Sequence, residues 1–329
     1  MIDAAIVGMG RWGRLLVDAV QRDGKPLGPH LRFVVGQTRT PAAVRDYAAR
    51  QEIRIVDDYT AVLADAGVGA IVLATPHDQH ARQIEAAAAA GKHVFVEKPF
   101  TLTRASAMAA VDAADRAGVV LALGHNRRFL AATAELKRLI DHGDLGTIIH
   151  LEGNFSGNFG YTYRPGMWRA EEGGAAGAMT AMGIHVVDTF VHLAGPIASV
   201  RATAVRRALA IAMDDAVLVT FRFKNGASGV LSTILTTPRQ WRIQAFGSKA
   251  WAHMRDHHVL DVCGEDTIVR TQVYVADNGL RTELNAFAQA AEGGPAYPLP
   301  LDQAVHGVAV LEAVLASHAR NGAEVDVES

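Results

Sequence analysis

Residues 4–13 form the stretch that decides the fold, Ala4-Ala5-Ile6-Val7-Gly8-Met9-Gly10-Arg11-Trp12-Gly13. A short apolar run leads into Gly-x-Gly-x-x-Gly, which predicts a strand, a tight turn and a helix. Gly8 permits the turn, Gly10 lets backbone approach a pyrophosphate, and Gly13 lets helix and strand pack closely. The apolar face of the helix is predicted to consist of Leu15, Leu16, Ala19 and Val20. The chain is therefore expected to begin with a dinucleotide site at a helix N-terminus.

The first 125 residues alternate apolar strands with helices. Further strands are predicted at residues 31–35, 53–56, 69–74, 93–97 and 119–123. Continuous apolar strands that alternate with helices indicate a parallel sheet covered on both faces. The fold class predicted for residues 1–125 is α/β, a doubly wound Rossmann domain whose ligand crevice lies at the carboxyl ends of the strands.

Residues 126–300 have a different pattern, with helices predicted at 129–141 and 175–193. Strands are predicted at 147–155, 197–207, 216–223, 227–235, 239–246 and 249–254, and weaker ones at 259–263 and 267–275. Short loops between strands favour an α+β domain with an open-faced, mostly antiparallel sheet and helices on one face. This domain is expected to bind substrate and to join subunits. A last helix, at about residues 301–320, is expected to pack back on the first domain.

Composition limits the partners of the chain. A length of 329 residues suffices for two domains, and a net charge of −2 argues against nucleic-acid or anionic-membrane binding. The single cysteine, Cys263, has no partner for an internal disulfide, and no basic segment precedes an apolar stretch at the start. The expectation is a cytoplasmic protein that forms a homo-oligomer, a dimer or tetramer, and binds a small polar molecule.

The end of the second strand bears on which dinucleotide binds. An NAD-binding fold usually places Asp or Glu there to hold the ribose 2′-hydroxyl, but this chain has Gln37-Thr38-Arg39. Thr38 can donate a hydrogen bond and Arg39 can pair with a phosphate, so NADP is favoured over NAD. The alternative is that Arg39 is merely a solvated side chain at a helix entry.

Three more strand ends carry polar groups. Ala74-Thr75-Pro76-His77 is predicted to lie against the cofactor. His77 and His80 are interpreted as cofactor-proximal or surface histidines, because no thiol or acid nearby completes a metal site with them. Glu97-Lys98-Pro99 places Lys98 where it can bond a substrate hydroxyl; the alternative is an ion pair at the sheet edge. The last is Gly124-His125-Asn126-Arg127-Arg128, a polar cluster at the predicted domain hinge. The predicted cofactor-binding residues are Gly8, Met9, Gly10, Arg11, Trp12, Gly13, Thr38, Arg39, Ala74, Thr75, Pro76, His77, His80, Glu97, Lys98, Asn126 and Arg127.

The second half offers fewer candidates. A loop rich in aromatic residues and glycine is predicted to cover a polar ligand through Tyr161, Tyr163, Arg164, Trp168 and Arg169. His185 lies in a small-residue helix with Asp188 three residues on, and it is either a catalyst or a core residue. A later histidine group is interpreted as surface or interface: His253, His257 and His258.

Taken together, these motifs resemble those of the Gfo/Idh/MocA oxidoreductases. The motifs that carry the resemblance are Gly8-Met9-Gly10-Arg11-Trp12-Gly13, Ala74-Thr75-Pro76, Glu97-Lys98-Pro99, Gly124-His125-Asn126-Arg127-Arg128-Phe129 and Gly183-Ile184-His185-Val186-Val187-Asp188. The resemblance implies NAD(P)-dependent hydride transfer at a carbinol or carbonyl carbon of a sugar, cyclitol or related polyol. It also implies that Lys98 contacts the reacting hydroxyl or relays its proton, that His185 is the general acid/base, and that the Lys98–Pro99 bond is cis.

One position departs from the family pattern. Dehydrogenases of this kind often carry Asp four residues before the histidine, where this chain has Ala181. Either Lys98 and His185 suffice, or Tyr161 or Tyr163 assists, or the chain has lost its chemistry. The alternatives to a polyol dehydrogenase are therefore a non-catalytic dinucleotide sensor on the same fold and an oxidoreductase acting on a non-sugar carbonyl or imine.

Overall fold

A computed structural model describes residues 1–167, 170, 176–276 and 278–328. The chain divides into two compact units, of which the first contains residues 1–126 and 278–305 and the second 127–277 and 306–329. The longer α-helices are α1 (Arg11–Val20), α2 (Pro41–Arg50), α3 (Tyr59–Ala64), α4 (His80–Ala89), α5 (Arg104–Ala117), α6 (Ala131–Asp141), α7 (Ile184–Ala194), α8 (Gly279–Ala291) and α9 (Leu301–Ala319).

The first unit is built on a parallel sheet. Its strands, together with a two-stranded hairpin formed by β2 and β3, are β1 (Ile2–Val7), β2 (Gln21–Arg22), β3 (Lys25–Pro26), β4 (Leu31–Gln37), β5 (Arg54–Val56), β6 (Ala70–Leu73), β7 (His93–Glu97) and β8 (Leu121–Gly124). The sheet order is β5-β4-β1-β6-β7-β8, and all pairs are parallel. This confirms the predicted doubly wound sheet, in which the strand order reverses between β1 and β6.

The second unit is built on a nine-stranded sheet. Its strands are β9 (Ile148–Ser156), β10 (Ile197–Val205), β11 (Ala216–Phe223), β12 (Ser228–Ile234), β13 (Gln240–Gly247), β14 (Trp251–Met254), β15 (Val259–Cys263), β16 (Val269–Val273) and β17 (Val325–Asp326). The order is β16-β15-β14-β13-β9-β12-β11-β10-β17, and only the β9–β12 pair among these described strands is parallel. Buried and more exposed residues alternate along β11, β12 and β13, as in a sheet with one covered face. The mostly antiparallel, open-faced prediction is confirmed.

The helix that returns to the parallel sheet is α8 and not the last helix. Phe287 of α8 is fully buried, with its ring centroid 5.7 Å from that of Phe95 on β7. Val310 and Val314 of α9 lie instead in the core of the second unit. The expectation for the last helix is therefore corrected for residues 306–319, which belong to the second unit, because an apolar helical face does not specify which sheet it covers.

One local prediction is also corrected, and another gains a detail. Leu15 is exposed, and Val17 is buried in its place, so the apolar face of α1 is rotated relative to the prediction. The helix predicted at 175–193 contains a π-helical turn, Met179–Gly183, between a short helical stretch, Ala176–Ala178, and α7. The π turn shifts the helical register just before His185.

Candidate functional site

Backbone hydrogen bonds tie the strand ends of the parallel sheet together at one edge. The amide of Gly8 donates to the carbonyl oxygen of Gln37 at 2.9 Å, and the amide of Ala74 donates to that of Val7 at 2.8 Å. The residues that follow β1, β4 and β6 therefore lie side by side, where doubly wound sheets bind their ligands.

The glycine-rich turn has the shape that a pyrophosphate requires. Gly8 has φ +96°, and a Cβ there would lie 2.4 Å from the carbonyl oxygen of Ala74. A Cβ at Gly13 would lie 2.0 Å from the carbonyl oxygen of Gly8, so the turn and α1 leave room for glycine alone. A Cβ at Gly10 would meet nothing within 4 Å. This open space lies at the start of α1, which has no side-chain cap, so its first amides fit a phosphate anion.

The predicted residues inside this turn differ in exposure. Arg11 and Trp12 are exposed, whereas Met9 is only 2% exposed and its Sδ atom would be 2.5 Å from a Cβ on Gly36. The side chain of Met9 therefore fills the core, and its backbone is the part that can face a dinucleotide.

Thr38 and Arg39 lie beyond the end of β4. The hydroxyl of Thr38 accepts a 3.4 Å hydrogen bond from the amide of Thr40, which leaves its own proton for a ligand. Arg39 is exposed, and no carboxylate in the described part of the chain forms an ion pair with it. The Arg39 side chain is therefore open to a group on the adenosine ribose, whereas the Thr38 side chain is only 8% exposed.

Lys98 begins the turn after β7, and Ala74, Thr75 and Pro76 form the turn after β6. These four residues are partly exposed, whereas Glu97 is 6% exposed and a Cβ on Gly124 would lie 3.1 Å from its Oε1 atom. The Lys98–Pro99 peptide is cis, as the resemblance implied. Lys98 is thus the accessible charged side chain of its motif, and Glu97 is the buried one.

Neither predicted histidine near these turns is a surface residue. His77 is 4% exposed, and His80 is fully buried. The Nδ1 and Nε2 atoms of His80 lie 2.9 Å from the carbonyl oxygen of Pro99 and 3.1 Å from that of Thr75. Because protein carbonyls occupy both nitrogens, direct contact between His80 and a cofactor is corrected to a role inside the protein.

In the second unit, His185 lies among aromatic rings. It is the second residue of α7, is 4% exposed, and has its ring centroid 5.7 Å from that of Phe155 on β9. Phe155 is paired across the strands with Trp241, with ring centroids 5.5 Å apart. The guanidinium carbon of Arg127 lies 4.2 Å from the Phe155 centroid and 5.2 Å from that of Trp241. A cation therefore stacks on the rings beside His185.

His257, interpreted from the sequence as a surface or interface residue, is partly buried and belongs to the same group. Its ring centroid is 5.5 Å from that of Trp241, and burial together with the nearby Arg127 lowers the pKa of His257 to about 4. His253 and His258 are half-buried. The sequence did not indicate this cluster, because the register that pairs β9 with β13 is not visible in it.

A buried ion pair anchors α7. The Arg128 Nε atom lies 3.0 Å from each carboxylate oxygen of Asp188, Nη2 lies 2.9 Å from Oδ1, and both side chains are at most 7% exposed. The Arg128 Nη1 atom is 3.3 Å from Nδ1 of His192, whose pKa burial and Arg128 lower to about 4. This network ties the segment that follows β8 to the helix that carries His185.

The predicted lid loop is described in part. Tyr161 is 52% exposed, and Tyr163 packs against the core of the second unit. Arg164 folds back onto its own loop by donating hydrogen bonds to the carbonyl oxygens of Tyr161 and Tyr163. Trp168 and Arg169 lie outside the described residues, as does Ala175. Asn126 lies in a 3-10 turn, Asn126–Phe129.

Among the described residues, no cluster of three or more His, Cys, Asp or Glu side chains has the arrangement of a metal site. No described helix combines the length and the apolar character that a membrane span needs.

Two family models together match most of the chain. The model described as "Oxidoreductase family, NAD-binding Rossmann fold" matches residues 2–125, and the GFO/IDH/MocA C-terminal domain matches residues 133–253. The chain belongs to the Gfo/Idh/MocA oxidoreductase family. The resemblance drawn from the sequence motifs is thereby confirmed, and a nicotinamide dinucleotide is the family's cofactor at the Rossmann fold.

Relatives in the Gfo/Idh/MocA family include enzymes named for both dinucleotides. The scyllo-inositol 2-dehydrogenase (NADP(+)) IolW of Bacillus subtilis is 32% identical over 48% of this chain and 43% of its own length. The scyllo-inositol 2-dehydrogenase (NAD(+)) of the same species is 40% identical over 30% of this chain and 28% of its own. This chain thus spans less than half of the length of either relative.

The fold also matches that of a solved dehydrogenase structure. Levoglucosan dehydrogenase in complex with NADH and levoglucosan superposes with a TM-score of 0.87 at 23% identity, over the whole of both chains. At that identity the likeness shows the fold alone.

Proposed function

We propose that this protein is an NAD(P)-dependent oxidoreductase that transfers hydride to or from a carbinol or carbonyl carbon of a sugar, cyclitol or related polyol. The observation that carries the proposal is the open space at Gly10 on the same sheet edge as the partly exposed Lys98. When bound, the nicotinamide supplies the hydride acceptor or donor. The names of the two scyllo-inositol 2-dehydrogenases among the relatives support the substrate class.

Lys98 and His185 are the proposed catalytic pair. The Lys98 ammonium has three N–H donors and no acceptor in its charged form, so it orients the oxygen of the reacting group. In the oxidising direction His185 takes the proton of the hydroxyl while hydride leaves the carbon that bears this hydroxyl. In the reducing direction His185 returns the proton to the oxygen. The ring cluster of Phe155, Trp241 and Arg127 holds the imidazole within an apolar wall.

The dinucleotide proposed is NADP. Arg39 is an exposed guanidinium beyond β4 with no ion pair to a carboxylate of the described chain, and Thr38 keeps a free donor. A guanidinium suits a ribose 2′-phosphate, whereas NAD-binding folds hold the 2′-hydroxyl with an acid.

A second candidate function rests on Ala181. This residue lies in the π turn before α7 and has no group that can accept a proton. A chain without that acid fits a dinucleotide-dependent sensor that binds the cofactor and performs no turnover.

Parallel fluorescence titrations with NADPH and NADH, followed by a polyol, cyclitol and keto-sugar screen with the tighter dinucleotide, test the proposal. We expect tighter binding of NADPH and turnover of at least one polyol. Binding without turnover across the panel supports the sensor, and turnover confined to non-sugar carbonyls or imines replaces the substrate class. A homo-oligomer joined through the open sheet and a cytoplasmic location stay predictions; Leu218, 47% exposed on that sheet, supports the former.

A further inference from the structure

Two turns at the carboxyl edge of the parallel sheet share one buried histidine. His80 begins α4 and has no exposed surface. Its Nδ1 atom faces the carbonyl oxygen of Pro99 at 2.9 Å, and its Nε2 atom faces that of Thr75 at 3.1 Å. Pro99 directly follows Lys98, and Thr75 lies in the turn after β6. One ring therefore spans the turn that carries the proposed catalytic lysine and the turn predicted to face the cofactor.

The Thr75 turn has a second attachment to the same helix. The hydroxyl of Thr75 donates to Oε1 of Gln83 at 2.5 Å, and the carbonyl oxygen of Gln83 accepts from the hydroxyl of Tyr59 at 2.7 Å. This turn is thus fixed to α4 at both its backbone and its side chain. The same helix reaches the Lys98–Pro99 turn through the His80 Nδ1 atom. Loss of the His80 ring is therefore expected to change the Lys98–Pro99 turn more than the Thr75 turn.

The two contacts of His80 are not equivalent chemically. Both partners are carbonyl oxygens, so each contact needs an N–H on the ring, and a neutral imidazole has one. Burial lowers the pKa of His80, an effect that the carbonyls of Pro99 and Thr75 oppose. The neutral ring donates fully to one carbonyl, and the shorter contact is the one to Pro99.

We propose that His80 is a positioning residue, which holds the backbone at Pro99 through Nδ1–H and thereby fixes Lys98 relative to the Thr75 turn. The proposal rests on the proposed function, in which Lys98 contacts the reacting oxygen. A displacement of about 1 Å at a reacting group lowers turnover by about 10²-fold, so a loose Pro99 carbonyl is expected to slow the reaction.

Two amide variants separate the two contacts. In His80→Asn the amide nitrogen lies near the position of Nδ1, so this variant keeps a hydrogen-bond donor for the Pro99 carbonyl. In His80→Gln the amide nitrogen reaches toward the position of Nε2, so this variant keeps a donor for the Thr75 carbonyl. We expect turnover of His80→Gln and His80→Ala to fall about 10–100-fold with the dinucleotide Kd within about threefold. His80→Asn restores turnover to within about fivefold of wild type.

A matched histidine controls for stability. His93 begins β7, at the other end of that strand, and its Nδ1 atom accepts a 3.0 Å hydrogen bond from the amide of Val120. His93→Ala removes a histidine–backbone contact of the same sheet without touching either turn. We expect it to lower the Tm while turnover stays within about twofold of wild type.

The closing experiment also has a readout that needs no turnover. Acetylation of Lys98 is followed by mass spectrometry in the full-length protein with NADPH bound, relative to acetylation of Lys25, which is exposed on β3. We expect His80→Gln and His80→Ala to change the relative rate about threefold or more, and His80→Asn to match wild type. If His80→Asn and His80→Gln lose turnover equally, in proportion to their losses of Tm, the positioning role is overturned. Unchanged Lys98 acetylation in the Gln and Ala variants also overturns it, whereas wild-type protein without polyol turnover overturns only the proposed function.

Discussion

The buried pair of Arg128 and Asp188 gives a prediction about stability. Asp188→Ala removes the carboxylate that two guanidinium nitrogens contact at 2.9–3.0 Å, where the Arg128 side chain is only 3% exposed. Breaking one partner of a buried pair destabilises a protein by about 3–5 kcal/mol because the remaining charge stays in a poorly solvated place. For a unit of this size that loss lowers Tm by roughly 6–20 °C.

Urea and thermal unfolding followed by tryptophan fluorescence measure this loss. The matched control is Glu135→Ala, which breaks an ion pair on α6 with Arg138, whose side chain is 43% exposed, and is expected to change stability by about 0.2–1 kcal/mol. The double variant Arg128→Met/Asp188→Leu removes both charges and is expected to recover most of the loss. A free energy of unfolding for Asp188→Ala within about 1 kcal/mol of the Glu135→Ala value would show that the buried pair stabilises the protein no more than an exposed one.

Three further predictions concern the cofactor loop and acid stability. Gly10→Ala is expected to weaken NADPH binding about tenfold or more without loss of Tm, because its Cβ enters the open space where the pyrophosphate is expected. Gly13→Ala is expected to lower Tm, because its Cβ would meet the carbonyl oxygen of Gly8. Calorimetry measures the Tm of both variants, and titration measures their NADPH binding. Arg39→Gln is expected to raise the Kd for NADPH about 10–100-fold and to leave that for NADH within about threefold, and equal losses would contradict a 2′-phosphate role. The folded pKa of His192 is about 4 against 6.5 for the free group, so the unfolded chain binds more protons between these values. Stability is therefore expected to fall by about 1–3 kcal/mol as pH drops from 6.5 to about 4, and His192→Gln flattens that slope in pH-dependent urea unfolding.

The parallel-sheet half of the fold could be predicted because its signals are local. The Gly8–Gly13 turn and the polar residues after β4, β6 and β7 all follow apolar runs, and parallel strands bring such ends to one edge. Mostly antiparallel pairing in the second half followed from alternation and short loops. The parallel β9–β12 pair did not, because strand adjacency depends on long-range packing.

The surroundings of the candidate site were harder to predict for the same reason. Arg128 and Asp188 are 60 residues apart, and nothing local marks them as partners. Trp241 reaches the neighbourhood of His185 through the β9–β13 register, and α8 reaches the parallel sheet after a long excursion of the chain. The burial of His80 was missed because a histidine at a helix start has no pattern that distinguishes a core position from a surface one.

Rapid mixing measures whether Lys98 and His185 serve hydride transfer together, as we propose. Wild-type protein, Lys98→Ala and His185→Ala are saturated with the tighter dinucleotide and mixed with a polyol found in the screen, and the absorbance of the nicotinamide is followed. We expect both variants to slow the first turnover by about 10²–10⁴-fold while the dinucleotide Kd stays within about threefold of wild type. A first turnover at the wild-type rate in either variant would contradict this joint role.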